Sequence, residues 1–358
     1  MPTALLVGRD FAGCSGVDRL GNELEKRGHN VNRALGFGKP LTATLDDIRR
    51  MVGTASFVVT GRSSSAALAE PEVVALEAAL ETKVPAFMFS DGWISLLPWF
   101  RDYYDKLARL FVLHDYCWSQ VKRVFPETCS TVSGCPEWEE FFPSANYDEE
   151  KTRVQRLLRE LGVPAGVQVI LCPGVKDRNL NLELWGDVAR AASTASEKFC
   201  LLASMHPGDL NDPDEYKREL SARVRVPLFF IRKGDGVNTA QLVPPSDFVI
   251  GSLSTLGDRA CCQGKRVIDY VSPTALEGLA GLNSLLPEGE RRIWPPCQIA
   301  GASRLALSST ELETAIHELS TPEGFAPYRE AQKRFYGERG PRPGRAVDIM
   351  AGAIVAII

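Results

Sequence analysis

Short apolar runs alternate with longer segments of mixed polarity along nearly the whole chain. Runs such as Phe57–Thr60, Ala86–Phe89 and Phe199–Ala203 have the length of buried strands. The segments between them are long enough for helices, and Val17–Arg27, closed by Gly28, is one example. Strands that alternate with helices are typical of parallel sheets, so the pattern predicts an α/β fold.

The alternation stops at a polar stretch, Pro143–Glu150, and starts again at Lys151. We therefore expect two Rossmann-like, doubly wound domains of similar size, followed by a separate final segment. The expected boundaries are residues 1–145, 146–330 and 331–358. Ligands bind at the carboxyl ends of strands in such sheets, and two such domains facing each other would form a cleft for a small molecule.

Composition narrows the function classes. The 358 residues include 41 Lys and Arg against 45 Asp and Glu, a net charge of -4 that argues against nonspecific nucleic-acid binding. The nine cysteines contain no CxxC pair, so neither a disulfide framework nor a zinc site is expected. No apolar run reaches the roughly 18–20 residues of a membrane span, and the N-terminus lacks signal-peptide features. The sequence predicts a cytoplasmic protein with at most peripheral membrane contact.

A hydroxyl-rich loop follows the buried strand predicted over residues 247–251. A helix is expected to begin near Thr255, and its free N–H groups together with Ser and Thr hydroxyls would suit a phosphate. The alternative is simple N-capping by Ser254 or Thr255. The residues assigned to this donor-binding loop are Ser252, Ser254, Thr255, Gly257 and Asp258.

His206 directly follows another predicted strand. A histidine there can donate to a phosphate or stabilise charge on a leaving group, whereas the alternative is a turn with Pro207 opening the next helix. Gly174, Lys176 and Arg178 belong to the first loop of the second domain. The two cations could neutralise a diphosphate, and the alternative is a pair of solvated surface charges.

Asp91 follows the predicted strand Ala86–Phe89 in the first domain. A carboxylate there could act as a general base, with a pKa raised by apolar neighbours, although Asp-Gly is also a common turn. The glycine-bearing segment Gly8–Gly16 does not fit a dinucleotide fingerprint and is interpreted as a loop lining the cleft. The residues expected on this acceptor side are Gly13, Ser15, Gly16, Arg62 and Trp93.

The order and spacing of these features resemble the GT-B glycosyltransferase superfamily over nearly the whole chain. Within it they resemble bacterial surface-polysaccharide transferases with an HP motif and a Ser/Thr motif, including sialyltransferase-like and capsule or teichoic-acid polymerase-like enzymes. His206 and Pro207 match the HP motif, and Ser254 and Thr255 match the Ser/Thr pair.

Further elements carry the same resemblance. Asp91-Gly92 resembles the motif that supplies the base, although Ser90 stands where that motif has its first acidic residue. Thr131–Pro136 resembles the element that ends the first domain, and the tail from Tyr328 resembles the closing helix that crosses back to that domain.

The resemblance implies a metal-independent glycosyltransferase of polysaccharide biosynthesis that moves a sugar from a nucleotide-sugar to an acceptor hydroxyl. Inversion is expected if one base acts on the opposite face of the sugar, by analogy with single-displacement glycosyl chemistry. Asp91 would be the base, and His206, Ser254 and Thr255 would hold the leaving phosphate. No cofactor beyond the nucleotide-sugar substrate is implied, and the acceptor is a glycan, a lipid-linked glycan or a small molecule. The alternatives are a non-hydrolysing nucleotide-sugar 2-epimerase of the same fold and a non-catalytic nucleotide- or glycan-binding protein.

Overall fold

The chain forms two compact units. The first comprises Met1–Glu140, Ala280–Ile293 and Pro341–Ile358, and the second comprises Phe141–Leu279 and Trp294–Gly340. The structure is a computed structural model, and it describes residues 1–93, 96–137, 139, 147–195, 198–206, 208–221, 224–232, 237–252, 254–291, 294–337 and 345–358.

The first unit contains a six-stranded sheet in the order β2-β1-β3-β4-β5-β6, and all neighbouring strands are parallel. Its strands are β1 (Thr3–Gly8), β2 (Asn30–Leu35), β3 (Phe57–Thr60), β4 (Ala86–Phe89), β5 (Arg109–Val112) and β6 (Ser130–Val132). The helices along this part of the chain are α1 (Phe11–Lys26), α2 (Leu45–Val52), α3 (Glu70–Thr82) and α4 (Asp115–Val124). Every residue of β3 and β4 is buried, as expected for strands covered on both faces.

The second unit contains a second parallel sheet of six strands, in the order β12-β11-β10-β7-β8-β9. The strands are β7 (Gln168–Pro173), β8 (Phe199–Ser204), β9 (Leu228–Ile231), β10 (Phe248–Gly251), β11 (Arg266–Tyr270) and β12 (Arg304–Ala306). The helices from residue 147 onward are α5 (Tyr147–Glu160), α6 (Arg178–Thr194), α7 (Pro213–Ser221), α8 (Leu256–Cys262), α9 (Pro273–Leu282), α10 (Pro296–Ile299), α11 (Ser309–Ser320), α12 (Pro322–Gln332) and α13 (Arg345–Val355). Two separate apolar clusters pack against this sheet, one around Trp185 and Phe248 and the other around Leu171 and Val249.

The predicted fold class is confirmed, because both sheets are parallel and doubly wound. The prediction of a loop through Gly16 and a helix from Val17 is wrong, since α1 already begins at Phe11. Glycines lower helix propensity, and here tertiary packing outweighs that preference. Strand β2 was not predicted because only Ala34 of its six residues is buried, as is typical of an edge strand.

The C-terminal helix α13 packs against α1 within the first unit. Arg27 Nη2 donates to Asp348 Oδ1 at 2.8 Å across this contact. The predicted linker lies partly outside the described residues, and its last four residues, 147–150, open α5. Among the residues that the structure describes, no helix combines the length and the apolar character needed to cross a bilayer.

Helix α1 approaches the first sheet so closely that Gly13 and Gly16, near its start, have no room for a side chain. A Cβ atom at Gly16 would lie 2.3 Å from the Phe89 ring, and one at Gly13 would lie 2.9 Å from Arg62 N. Phe89 is fully buried in the sheet. The glycines thus set the distance between α1 and the carboxyl ends of β3 and β4.

Substitution of Gly16 by alanine should destabilise the first unit. The added methyl group must displace a buried ring, and overpacking of this kind costs about 1–3 kcal/mol, more than the gain in helix propensity. Chemical denaturation measures the difference. The matched control is Gly352→Ala in α13, where a Cβ atom meets nothing within 4 Å and the free energy of unfolding should not fall. Equal stability of the two variants would contradict the packing argument.

Candidate functional site

An ion pair lies at the carboxyl edge of the first sheet. Arg62, after β3, places Nε and Nη2 each 3.4 Å from Oδ1 of Asp91, after β4. The two side chains are only 8% and 12% exposed. A Cβ atom at Gly92 would lie 2.3 Å from Arg62 Nη2, so glycine leaves room for the guanidinium. The buried Arg62 Nη1 has no hydrogen-bond partner among the described residues.

The groups around Asp91 shift the pKa of its carboxyl group in opposite directions. Burial raises the pKa of its carboxyl group above the ordinary value, and nearby Asp10 raises it further. The charge of Arg62 lowers the pKa, without cancelling the effect of burial. A carboxylate with a raised pKa is a better proton acceptor than an exposed one.

A second buried carboxylate, Glu72 near the start of α3, connects the loops around this pair. Its Oε1 accepts from Arg9 N at 3.2 Å and from the hydroxyl of Ser63. Ser63 Oγ also accepts from Asp10 N at 3.1 Å, and Ser63 is the neighbour of Arg62 in the chain. Glu72 therefore holds the loops after β1 and β3 in place. The sequence analysis missed it because a glutamate near a helix start looks like an ordinary dipole partner.

The other residues expected on the acceptor side lie within a helix or in the packed interior. Ser15, like Gly13 and Gly16, lies within α1, where it is half-buried rather than in a loop. Trp93 is 5% exposed, and its carbonyl oxygen accepts from Cys117 Sγ at 3.5 Å.

His114, after β5, is also close to this edge of the sheet. Its Nδ1 accepts from Tyr116 N at 3.1 Å, and its Nε2 lies 3.6 Å from Cys117 Sγ. Burial lowers the pKa of His114 to about 4, so the ring is neutral near pH 7.

In the second unit, the loops after β7 and β8 meet at the carboxyl edge. A Cβ atom at Gly208 would lie 3.3 Å from His206 Nδ1 and 3.5 Å from Lys176 Cε, so the imidazole and the lysine side chain are close neighbours. Gly208 N donates to His206 Nδ1 at 2.9 Å. A neutral ring that accepts at Nδ1 carries its proton on Nε2, so His206 is set to donate from that atom. Pro207 lies outside the described residues.

Buried Asn181 of α6 positions both of these loops. Its Oδ1 accepts from Val175 N at 2.7 Å, and its Nδ2 donates to Val175 O and to Asp209 Oδ2, both at 2.9 Å. Gly174 allows this approach, because a Cβ atom there would lie 2.7 Å from the Trp185 ring. Arg178 forms an ion pair with Glu219.

The loop after β10 lies beside the loop after β7. Gly251 packs against the ring of Pro173, with 3.3 Å between its Cβ position and Cγ. Ser254 Oγ accepts from Leu256 N at 3.2 Å, which is a local cap, while Thr255 is exposed and makes no side-chain cap bond. Ser252 is half-buried.

Gly257 and Asp258 were also assigned to this loop, but they lie inside α8. Gly257 is buried, and its Cβ position faces Cys297 Sγ at 3.4 Å. The carboxyl group of Asp258 is fully buried and accepts from Tyr336 OH and from Cys297 N. Its protein partners are therefore those of a core residue.

No family model matches the sequence, and none of the curated proteins matches it. Solved structures are similar over almost the full length. The UDP-GlcNAc 2-epimerase of Neisseria meningitidis, bound to UDP-GlcNAc, has a TM-score of 0.65 at 14% identity and covers 99% of this chain and 100% of its own. A glycosyltransferase from Rickettsia africae has a TM-score of 0.65 at 12% identity and covers 99% and 98%. S. aureus MnaA, in a co-structure with UDP, has a TM-score of 0.67 at 15% identity and covers 100% and 98%.

The chain has the GT-B fold. At identities of 12–15% the comparison shows the architecture alone, which is two α/β units in one chain, each with a parallel sheet. The carboxyl edge of each sheet carries a separate set of polar residues. Among the described residues, no group of three or more His, Cys, Asp or Glu side chains is placed to hold a metal ion.

Asp258 of α8 and Asp269 of β11 form a pair of buried carboxyl groups in the second unit. Asp269 of β11 accepts from Ser303 Oγ at 2.6 Å, and its Oδ2 lies 3.6 Å from Cys297 Sγ. Burial raises the pKa of Asp258 to about 7 and that of Asp269 to about 6. The charge of Asp269 contributes to the shift at Asp258, since the two carboxyl groups repel when both are ionised.

These shifts predict a pH-dependent stability. The folded state holds the two protons more tightly than the unfolded chain, whose aspartates have pKa values of about 3.9. The contribution of this pair is therefore fully present below about pH 4 and is lost as the pH rises through 6 and 7. Urea denaturation from pH 5 to pH 8 should show this fall, and Asp258→Asn should flatten it. An unchanged slope in the variant would show that Asp258 is not the group responsible.

Proposed function

We propose that this protein is a metal-independent, inverting glycosyltransferase that moves a sugar from a UDP-sugar to an acceptor hydroxyl. The observation that carries the proposal is that the side chains of His206 and Lys176 both lie beside Gly208, at the carboxyl edge of the second sheet. A positive charge beside an imidazole N–H donor is suited to the negative charge that develops on a leaving diphosphate. The similar structures bound to UDP-GlcNAc and UDP support uridine diphosphate as the nucleotide.

The second unit would hold the donor. Lys176 and His206 would bind and stabilise the diphosphate, and the hydroxyls of Ser252, Ser254 and Thr255 would contact it from the adjacent loop. Asn181 fixes the loops around Lys176 and His206 before the ligand arrives, so that little reorganisation accompanies the reaction. The order of these motifs also supports the finer proposal of an HP-motif transferase of surface-polysaccharide synthesis.

The first unit would hold the acceptor. Asp91 would take the proton of the acceptor hydroxyl as the oxygen attacks the anomeric carbon of the donor sugar. The C–O bond to the diphosphate breaks at the same time, and a single displacement inverts the configuration. Arg62 contacts Asp91 through Oδ1, which holds the carboxylate in one orientation and directs Oδ2 to the acceptor.

A second candidate function is that of a UDP-sugar 2-epimerase. It is supported by the structural similarity to the Neisseria meningitidis epimerase, since the TM-score equals that for the Rickettsia africae glycosyltransferase. An epimerase needs no acceptor and returns a UDP-sugar of changed configuration. Incubation with UDP-GlcNAc alone, followed by chromatography of the nucleotide-sugar, separates the two candidates. Conversion without an acceptor would favour the epimerase.

UDP should stabilise the folded protein, since a ligand that binds only the folded state raises the melting temperature. With UDP at 100 times its Kd we expect an increase of roughly 4–7 °C. The double variant Ser254→Ala/Thr255→Ala should lose most of this increase. The matched control is Ser193→Ala/Thr194→Ala, an adjacent Ser-Thr pair at the end of α6, which should keep it. No increase with UDP, CDP, CMP, GDP, ADP or dTDP at millimolar concentration would overturn both enzyme candidates.

Asp91→Asn should abolish proton transfer while leaving the donor site intact. Loss of a general base lowers kcat by about 10²–10⁴-fold, and the UDP-dependent increase in melting temperature should be unchanged. Asp102→Asn is the matched control, because this aspartate belongs to the same unit and is exposed. Product formation is followed as UDP release in the presence of acceptor. Full activity of Asp91→Asn would assign the base to another residue.

A further inference from the structure

Two exposed aromatic side chains lie together at the carboxyl edge of the first sheet. Phe11, the first residue of α1, is 64% exposed, and Phe37, after β2, is 38% exposed. Their ring centroids are 5.9 Å apart in an edge-on arrangement. We call this pair the aromatic platform. Leaving both rings in water forgoes the stabilisation that burial would provide, so the platform needs an explanation other than stability.

Phe37 also adopts a backbone conformation that side chains disfavour. Its φ is 49°, in the left-handed region. The loop is fixed there because Gly38 N donates to Arg9 O at 2.6 Å and Phe37 N donates to Cys14 Sγ at 3.4 Å. Strained residues held by their surroundings cluster at ligand sites. The strain and the exposure thus occur at the same residue.

The aromatic platform is connected to the Asp91 site through the first turn of α1. Phe11 and Gly13 share this turn, which advances about 5.4 Å along the helix axis. Gly13 packs against the backbone of Arg62, whose guanidinium binds Asp91. Asp10, next to Phe11, is close enough to Asp91 to raise its pKa. A ligand seated on the platform can therefore extend to the Asp91 carboxylate.

We infer that the aromatic platform binds the acceptor, and that the acceptor is a carbohydrate whose C–H face stacks on Phe11 and Phe37. This inference rests on the transferase function proposed above. Sugar rings combine an apolar face with a rim of hydroxyl groups, and Asp10 and Ser64, which hydrogen-bond to each other beside the platform, match that rim. A membrane surface would instead favour a basic cluster. The segments around the two rings, residues 9–13 and 36–41, carry two basic residues, Arg9 and Lys39, and one acidic residue, Asp10.

The test uses the full chain and saturation-transfer NMR with methyl glycosides of glucose, galactose and N-acetylglucosamine and their disaccharides. The wild-type protein should transfer saturation to the C–H protons of at least one saccharide. Phe11→Ala and Phe37→Asn should each lose the signal and raise the acceptor KM about tenfold, with kcat unchanged. Leu80→Ala is the control, because Leu80 is 36% exposed and lies near the end of α3, away from this edge.

A melting measurement separates binding from folding. Asparagine tolerates the left-handed conformation, so Phe37→Asn should melt at or above the wild-type temperature while it loses the saccharide. The UDP-dependent increase in melting temperature, which tests the proposed function independently, should persist in every variant.

Three results would overturn the inference. One is that no saccharide receives saturation, and another is that the signal survives in both phenylalanine variants. The third is that Phe11→Ala and Phe37→Asn instead abolish binding to vesicles of equimolar phosphatidylcholine and phosphatidylglycerol, which would identify a membrane contact.

Discussion

Parallel pairing of the strands is the constraint on which both candidate sites depend. In the described part of the chain, all twelve strands pair in parallel, so each sheet gathers every strand-to-helix loop on one edge. Strand pairing alone therefore makes neighbours of residues that are far apart in sequence. Lys176 and His206, after β7 and β8, meet in this way, as do Arg62 and Asp91, after β3 and β4.

The loops at these edges contain little regular structure. Buried polar side chains from helices fix them by hydrogen bonds to the loop backbone. Glu72 in the first unit and Asn181 in the second perform the same task, since each is fully buried and bonds the backbone of a strand-end loop. Breaking such a bond would leave a buried polar group unsatisfied, which costs more than the net value of the bond itself. Each loop is therefore fixed by the free-energy cost of leaving these buried groups without a partner. The side chains that the loop carries are held in position before any ligand binds.

The sequence predicts the strand ends well and the supporting contacts poorly. The place of Asp91 and His206 at the sheet edges could be predicted, because an apolar run marks where a buried strand stops and the residues just after it lie at the edge. Glu72 and Asn181 could not be found in this way, because their partners are brought to them only by the folded chain. The start of α1 was misjudged for a related reason. Gly13 and Gly16 weaken a helix locally, and only the neighbouring sheet shows why glycine is required there.

A raised carboxyl pKa does not by itself mark a site in this protein. Burial raises the pKa of Asp91 and of Asp258 alike. What separates them is the surrounding chemistry. Asp91 faces the guanidinium of Arg62 and keeps part of its surface in solvent, which is what the proposed role as a base requires. Asp258 is enclosed with a tyrosine, a cysteine backbone and a second carboxyl group. Its side chain has no exposed surface, so we expect its titration to act on stability.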